Sequence, residues 1–266
     1  MSHKKKLTRR AITQALADTL KPLDHVHAFY EGGAAAFDRI DQWSDIDLYV
    51  VVDDDKVNDA FLVVEKTLKL LSPIRQRYDV PETGFPGISQ AFYTLENASK
   101  YLIIDLAVVK LSCPDKLLEP RIHGNNIFYF NKSDKVNPST FDRKTFAKKV
   151  RARLNRLQAR FAMFNIFVQK EINRGNGLEA IDLYHNLALA TLVEALRIKH
   201  FPFHYDFKMR YVHHELPPET IDKLDHLYFV RNMKDLQEKY LQANEWFKRL
   251  MLEIDEKHVE MLVRTS

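Results

Sequence analysis

Gly32-Gly-Ala-Ala-Ala-Phe-Asp-Arg-Ile-Asp-Gln-Trp-Ser-Asp-Ile-Asp-Leu48 decides the reading of this chain, because it sets two glycines a short turn away from two carboxylates. Upstream, His25-Val-His-Ala-Phe-Tyr30 reads as a strand leading into Gly32-Gly33, and Ala34-Ala-Ala-Phe37 has the small, helix-favouring side chains of a helix start. Downstream, Ile46-Asp-Leu-Tyr-Val-Val-Val52 is rich in β-branched residues and reads as a buried strand. The Asp53-Asp-Asp55 run is expected to cap a helix over 56–71. Strand side chains alternate in direction, so Asp45 and Asp47 point the same way with Cα atoms roughly 6.5–7 Å apart. Two such charges about 4 Å apart repel by roughly 4 kcal/mol at an effective dielectric near 20, which calls for a cation or a proton between them. Magnesium suits the need: it is a hard ion that takes one or two carboxylates, substrate phosphates and water. Gly32 and Gly33 permit close backbone approach to an anion at a helix start. Ser44 is read two ways, as a hydroxyl donor to phosphate or as the cap of the turn into the strand.

A third carboxylate stands in Tyr101-Leu-Ile-Ile-Asp-Leu-Ala-Val-Val109, otherwise an apolar strand. A charge in such a strand is expensive unless paired or metal-bound, so Asp105 is expected to join Asp45 and Asp47, as metal ligand, general base or both.

Around this core, residues 7–20 form an amphipathic helix, with Leu7, Ile12, Leu16 and Leu20 near one face. Apolar runs at 74–80, 88–95, 101–111 and 126–130, separated by Pro, Gly or Asn, read as further strands of the same sheet. Asn131-Lys-Ser-Asp-Lys-Val-Asn-Pro138 is polar and precedes a change of periodicity, so the first domain is expected over 1–135 and a second over 136–266. There, Phe146, Val150, Leu154, Leu157, Phe161, Phe164 and Val168 mark one helix of about 30 residues ended by Arg174-Gly-Asn-Gly177. Further helices are expected over 178–200, 217–233 and 235–262. The fold class is α+β: a mixed sheet with flanking helices, followed by an all-helical bundle.

The composition, 45% hydrophobic and 29% charged with 7 Gly and 10 Pro, excludes a low-complexity or disordered chain. A single cysteine, Cys113, excludes an intramolecular disulfide and a Cys-rich zinc motif and leads to the expectation of a reducing, cytoplasmic setting. The basic start runs into Leu7-Thr-Arg-Arg10, too polar for a signal peptide, and no stretch reaches transmembrane length. Residues 1–130 hold 16 Lys and Arg against 18 Asp and Glu, residues 131–266 hold 24 against 18, so an acidic half precedes a basic one. Lys149, Arg153, Arg156 and Arg160 form a basic stripe that reads first as a solvated helix face. The 11 histidines read as structural, while Tyr184, His185, Asn186 and Lys208 are weaker candidates for an acceptor pocket.

Gly32-Gly33, Asp45-Ile-Asp47 after eleven intervening residues and a later strand aspartate together resemble the polymerase-β-type nucleotidyltransferase superfamily. The stretch 32–48 is similar to small bacterial members, and the helical half resembles the C-terminal domains of aminoglycoside and lincosamide nucleotidyltransferases. Gly33 stands where many members carry a phosphate-binding serine. The resemblance implies an N-terminal nucleotidyltransferase fold. It implies that Asp45, Asp47 and Asp105 bind two magnesium ions, with manganese the alternative, and that Gly32 and Gly33, with Ser44, hold the nucleoside triphosphate. The implied enzyme transfers AMP from ATP to a hydroxyl of a small molecule, an aminoglycoside- or lincosamide-like antibiotic, and releases pyrophosphate. The alternative is a toxin–antitoxin-type nucleotidyltransferase or regulatory binding protein acting on protein or RNA. No membrane partner is expected, nucleic acid is disfavoured, and the state is a monomer or homodimer.

Overall fold

The computed structural model describes residues 6–114, 116–117, 119–132, 135–138, 140–254, 259 and 263. It divides into two compact units, Met1–Thr140 and Phe141–Ser266.

The first unit is a six-stranded mixed sheet with helices. Its strands are β1 (Val26–Glu31), β2 (Ile46–Val52), β3 (Ile74–Asp79), β4 (Ile88–Leu95), β5 (Ile104–Lys110) and β6 (Ile127–Asn131), in the spatial order β3-β4-β5-β2-β1-β6. Only β2 and β5 run parallel; the other neighbours are antiparallel. The helices are α1 (Arg9–Leu20), α2 (Gly33–Ala36), α3 (Val57–Leu71) and α4 (Pro120–His123).

The period-two pattern gives the two sheet faces different fates. On one, Leu48, Val50, Leu106, Val108 and Phe29 are fully buried with Ile12 and Leu16 of α1 and Val64 and Leu68 of α3. Each such burial contributes roughly 1.5–3 kcal/mol. On the other, Ala28, Tyr30, Val51, Ala107 and Val109 pack with Cys113, Leu117 and Val136. That second cluster stops before the starts of β2 and β5, where Asp47 and Asp105 are half-buried and Asp45, just ahead of β2, is exposed.

The acidic run 53–55 does not cap α3. Its N-cap is Lys56, without a side-chain hydrogen bond, because Asp53 is taken by His27 Nε2 at 2.7 Å and Asp54 accepts from the Ser112 amide at 3.0 Å.

The second unit is helical: α5 (Arg143–Phe164), α6 (Ile166–Arg174), α7 (Gly177–Leu183), α8 (Ala190–His200), α9 (Val212–Glu215), α10 (Pro218–Tyr228) and α11 (Met233–Glu253). The single long helix expected over the first stretch is broken at Asn165. Asn165 keeps helical dihedrals and its N–H still donates to the Phe161 carbonyl at 3.1 Å, while its own carbonyl is shared between the Val168 amide at 3.2 Å and the Tyr240 hydroxyl at 3.0 Å, and its side-chain amide donates to Asn244 at 2.6 Å. Between α7 and α8 the chain widens into a π-turn over Tyr184–Leu189. Phe161 stacks on Phe247 at 4.0 Å between ring centroids, in the core where α5 meets α11. The expected last helix ends at Glu253; most of 255–262 lies outside the described residues.

Candidate active site

Parallel pairing sets Asp47 directly opposite Asp105, as Cα partners on neighbouring strands. Strand spacing brings those Cα atoms to about 4.8 Å, on one face of the sheet. Two ionised carboxylates at that distance repel by roughly 3–4 kcal/mol at an effective dielectric near 20. Asp45 lies just ahead of β2, and its carboxylate is turned toward the Ile103 amide on the approach to β5. These are the residues the sequence pattern singled out, gathered at one end of the sheet.

The surrounding donors orient the carboxylates. Gln90 of β4 gives its side-chain amide to Asp105 Oδ1 at 2.7 Å. The Ile103 amide reaches Asp45 Oδ1 at 3.4 Å, and Ile46 returns an N–H to the Ile103 carbonyl at 2.9 Å, so the approaches to β2 and β5 are stitched together.

Gly33 explains why this position takes glycine. Its φ is +56°, and a Cβ there would lie 1.8 Å from Asp47 Oδ2 and 2.3 Å from Asp47 Cγ. The Gly33 backbone therefore rests against the Asp47 carboxylate, which leaves no room for a serine. Gly32 acts differently: its N–H donates to the Asp47 carbonyl at 2.9 Å and so extends the β1–β2 ladder. A Cβ on it would come within 3.0 Å of the Tyr49 ring and 3.4 Å of Asn126 Oδ1. That Asn126 oxygen is buried without a hydrogen-bond partner, an acceptor held beside the glycine turn.

Ser44 takes the turn-closing role of its two readings. Its hydroxyl donates to Asp41 Oδ1 at 2.8 Å and accepts from the Asp41 amide at 2.9 Å.

Sequence reasoning passed over Arg9. From α1 its guanidinium donates to the Ser44 carbonyl at 2.9 Å, to the Asp45 carbonyl, and to the carboxylate of Glu31. Glu31 ends β1 next to Gly32; its side chain is 3% exposed and also accepts from the Tyr129 hydroxyl at 2.5 Å. Burial and that bond to Glu31 push the Tyr129 phenol up to about 12. One arginine thus ties the glycine turn to the carboxylate strand. The Arg9 to Glu31 separation, 22 residues, falls outside any helical or strand period, so no periodic signal marks the pair.

Among the described residues, no three His, Cys, Asp or Glu side chains are grouped to hold a metal ion as they stand. The residues that could take part in holding a divalent ion completed by phosphate are the in-register Asp47 and Asp105, with the Asn126 oxygen, buried without a partner, beside the glycine turn.

The weaker candidates lie in the second unit. Tyr184 donates to the Leu227 carbonyl at 3.0 Å, His185 contacts the Tyr228 carbonyl at 3.1 Å, and Asn186 donates to Asp182 at 2.8 Å. Tyr184 and His185 thus bind their segment to α10, while Asn186 is exposed and bonds within its own helical segment. Arg153 of the basic stripe donates from Nε and Nη2, one edge of its guanidinium, to the two carboxylate oxygens of Glu194. Lys208 is exposed, with φ +53°. A cavity of about 610 Å³ lined by Lys223, His226, Trp246, Arg249 and Glu253 also lies within this unit and contains none of the three aspartates.

No protein-family model and no curated protein matches the chain. Among solved structures, an aminoglycoside 6-adenyltransferase from Bacillus subtilis aligns with 98% of this chain and 93% of its own at 12% identity, with a TM-score of 0.32.

Proposed function

We propose that this chain is a metal-dependent nucleotidyltransferase that moves a nucleoside monophosphate, AMP from ATP, onto a hydroxyl of a small-molecule acceptor and releases pyrophosphate. The observation that carries this reading is the in-register pair Asp47 and Asp105, with the Gly33 backbone pressed against Asp47.

Asp45, Asp47 and Asp105 would hold magnesium or manganese, which supplies charge neutralisation at the phosphates and at the attacking and leaving oxygens. Asp105, which accepts from the Gln90 side-chain amide, would complete the metal site, accept the proton of the acceptor hydroxyl, or do both. Gly33 lets phosphate oxygens approach Asp47 without a side chain intervening. Arg9 keeps the carbonyls of Ser44 and Asp45, and with them the strand entrance, in register with the glycine turn.

The test is incubation with α-labelled ATP and magnesium alongside aminoglycosides, lincosamides, tRNA and cellular protein. Label on a small hydroxylated molecule supports the proposal, and label confined to RNA or protein replaces the acceptor class. Unchanged ATP binding and turnover in Asp47→Ala would overturn the mechanism.

A further inference from the structure

Next to the carboxylates, the structure exposes two large aromatic rings that pack against each other instead of against a core. Trp43 is 57% exposed and Tyr101 46% exposed; their centroids are 4.8 Å apart with the planes at 78°. Trp43 lies two residues before Asp45, so their Cα atoms are at most about 7 Å apart. Tyr101 comes four residues before Asp105. The contacts joining Asp45 to Ile103 and Ile46 to Ile103 hold the two loops side by side.

The backbone that carries each ring is held by hydrogen bonds of its own turn. The Trp43 amide donates to Asp41 Oδ1 at 2.9 Å, inside the turn that Ser44 closes. Those hydrogen bonds, from the Ser44 hydroxyl first and then the Trp43 amide, hold the Asp41 carboxyl below the usual carboxylate range. Across the gap, the Tyr101 amide donates to Ser99 Oγ at 3.3 Å, and Lys100 Nζ sits 4.7 Å from the Tyr101 ring centre. An ordered aromatic pair left in water has forgone the burial that ordinarily repays its ordering. A flat ligand stacking on it would recover that term.

We propose that the Trp43–Tyr101 pair is the stacking surface for the nucleobase of the bound nucleoside triphosphate. The proposal rests on the nucleotidyltransferase reading and deepens it: phosphates at the carboxylates and the base on these rings place the two ends of one nucleotide on adjoining parts of the same sheet end. Stacking is tolerant of base identity, because every base has a π-face. Discrimination among bases is therefore expected to be weak.

The chain has two tryptophans, Trp43 and Trp246, so Trp246→Phe leaves Trp43 as the sole indole reporter. The full-length variant is titrated with ATP, GTP, CTP and inorganic tripolyphosphate in the presence of magnesium, and binding is followed in parallel by calorimetry. Expected are saturable quenching of Trp43 emission by each nucleotide and none by tripolyphosphate at equal occupancy. In the otherwise unsubstituted chain, Trp43→Ala weakens ATP by about tenfold, leaves tripolyphosphate affinity unchanged, and is rescued by Trp43→Phe. Calorimetric binding of ATP without any change in Trp43 emission, or unaltered ATP affinity in Trp43→Ala, overturns the stacking surface while leaving the nucleotide reading standing. Failure of the unsubstituted chain to bind any nucleotide overturns both.

Discussion

Glu215 in the helical unit and Asp105 in the sheet are both carboxylates set among apolar neighbours, and their surroundings differ. Glu215, 3% exposed, receives Arg197 Nη1 at 2.7 Å and His204 Nδ1 at 2.8 Å, while the fully buried Arg197 also donates to the carbonyls of Lys208 and Arg210. That network spans a loop in which Lys208 and Tyr211 adopt left-handed backbone, φ +53° and +63°. Its charges come from the unit itself and serve to fix the loop. Asp105, in contrast, is aligned with Asp47, and its Oδ1 accepts from the Gln90 side-chain amide. Glu215 is held by cations of its own unit, whereas the strand register sets Asp105 and Asp47 side by side, two like charges that repel by roughly 3–4 kcal/mol at an effective dielectric near 20 when both are ionised.

The largest expected effect tests the sheet side. Asp47→Ala is expected to lower nucleotidyl transfer by about 10³-fold or more, read as pyrophosphate release, with little change in melting temperature. Full activity, or a collapse of the fold, would erase the contrast. On the helical side the expectation is reversed. Arg197→Met leaves Glu215 buried with its main cation gone and is expected to cost about 3–5 kcal/mol in urea unfolding, with Glu215→Leu added to it recovering part of the loss.

Gly33→Ala sharpens the comparison at the point where backbone and carboxylate touch. The added methyl must displace the Asp47 carboxylate, and a displacement of about 1 Å is expected to cost roughly 10²-fold in turnover. The smallest effect is a pH dependence in the helical unit. The Arg231 amide and side chain, together with Lys239, hold the Asp235 carboxyl well below the usual range. Because the folded value is depressed, its stabilisation is present above the unfolded value near about 4 and is lost as pH falls further. Asp235→Asn is expected to flatten the acid limb of the stability–pH curve and to leave the neutral region nearly level.

Much of the first unit was legible because its signals are local. Alternation in Ile46–Val52 and the apolar run around Asp105 identify strands directly, and β2 has the bounds the pattern predicts. The acidic run 53–55 misled because capping propensity is weak beside a tertiary partner, here His27 and the Ser112 amide. The long helix is continuous in apolar periodicity through Asn165, where the structure divides it by one residue that bonds Tyr240 and Asn244, some 75 and 79 residues away.

The glycine pair and the carboxylates are likewise divided between the two levels. Sequence alone determined that Asp47 faces away from Ile46 and Leu48 along β2, since strand period is a property of the backbone, and that Asp105 stands in an apolar strand requiring an explanation. Only the tertiary structure decided that β5 lies parallel to β2 in the register that sets Asp105 opposite Asp47, that Gly33 must be glycine because of Asp47, and that Arg9 joins the glycine turn to the strand entrance. The reason is physical: periodicity is encoded between near neighbours along the chain, whereas register, close approach and charge pairing are encoded only between residues that folding brings together.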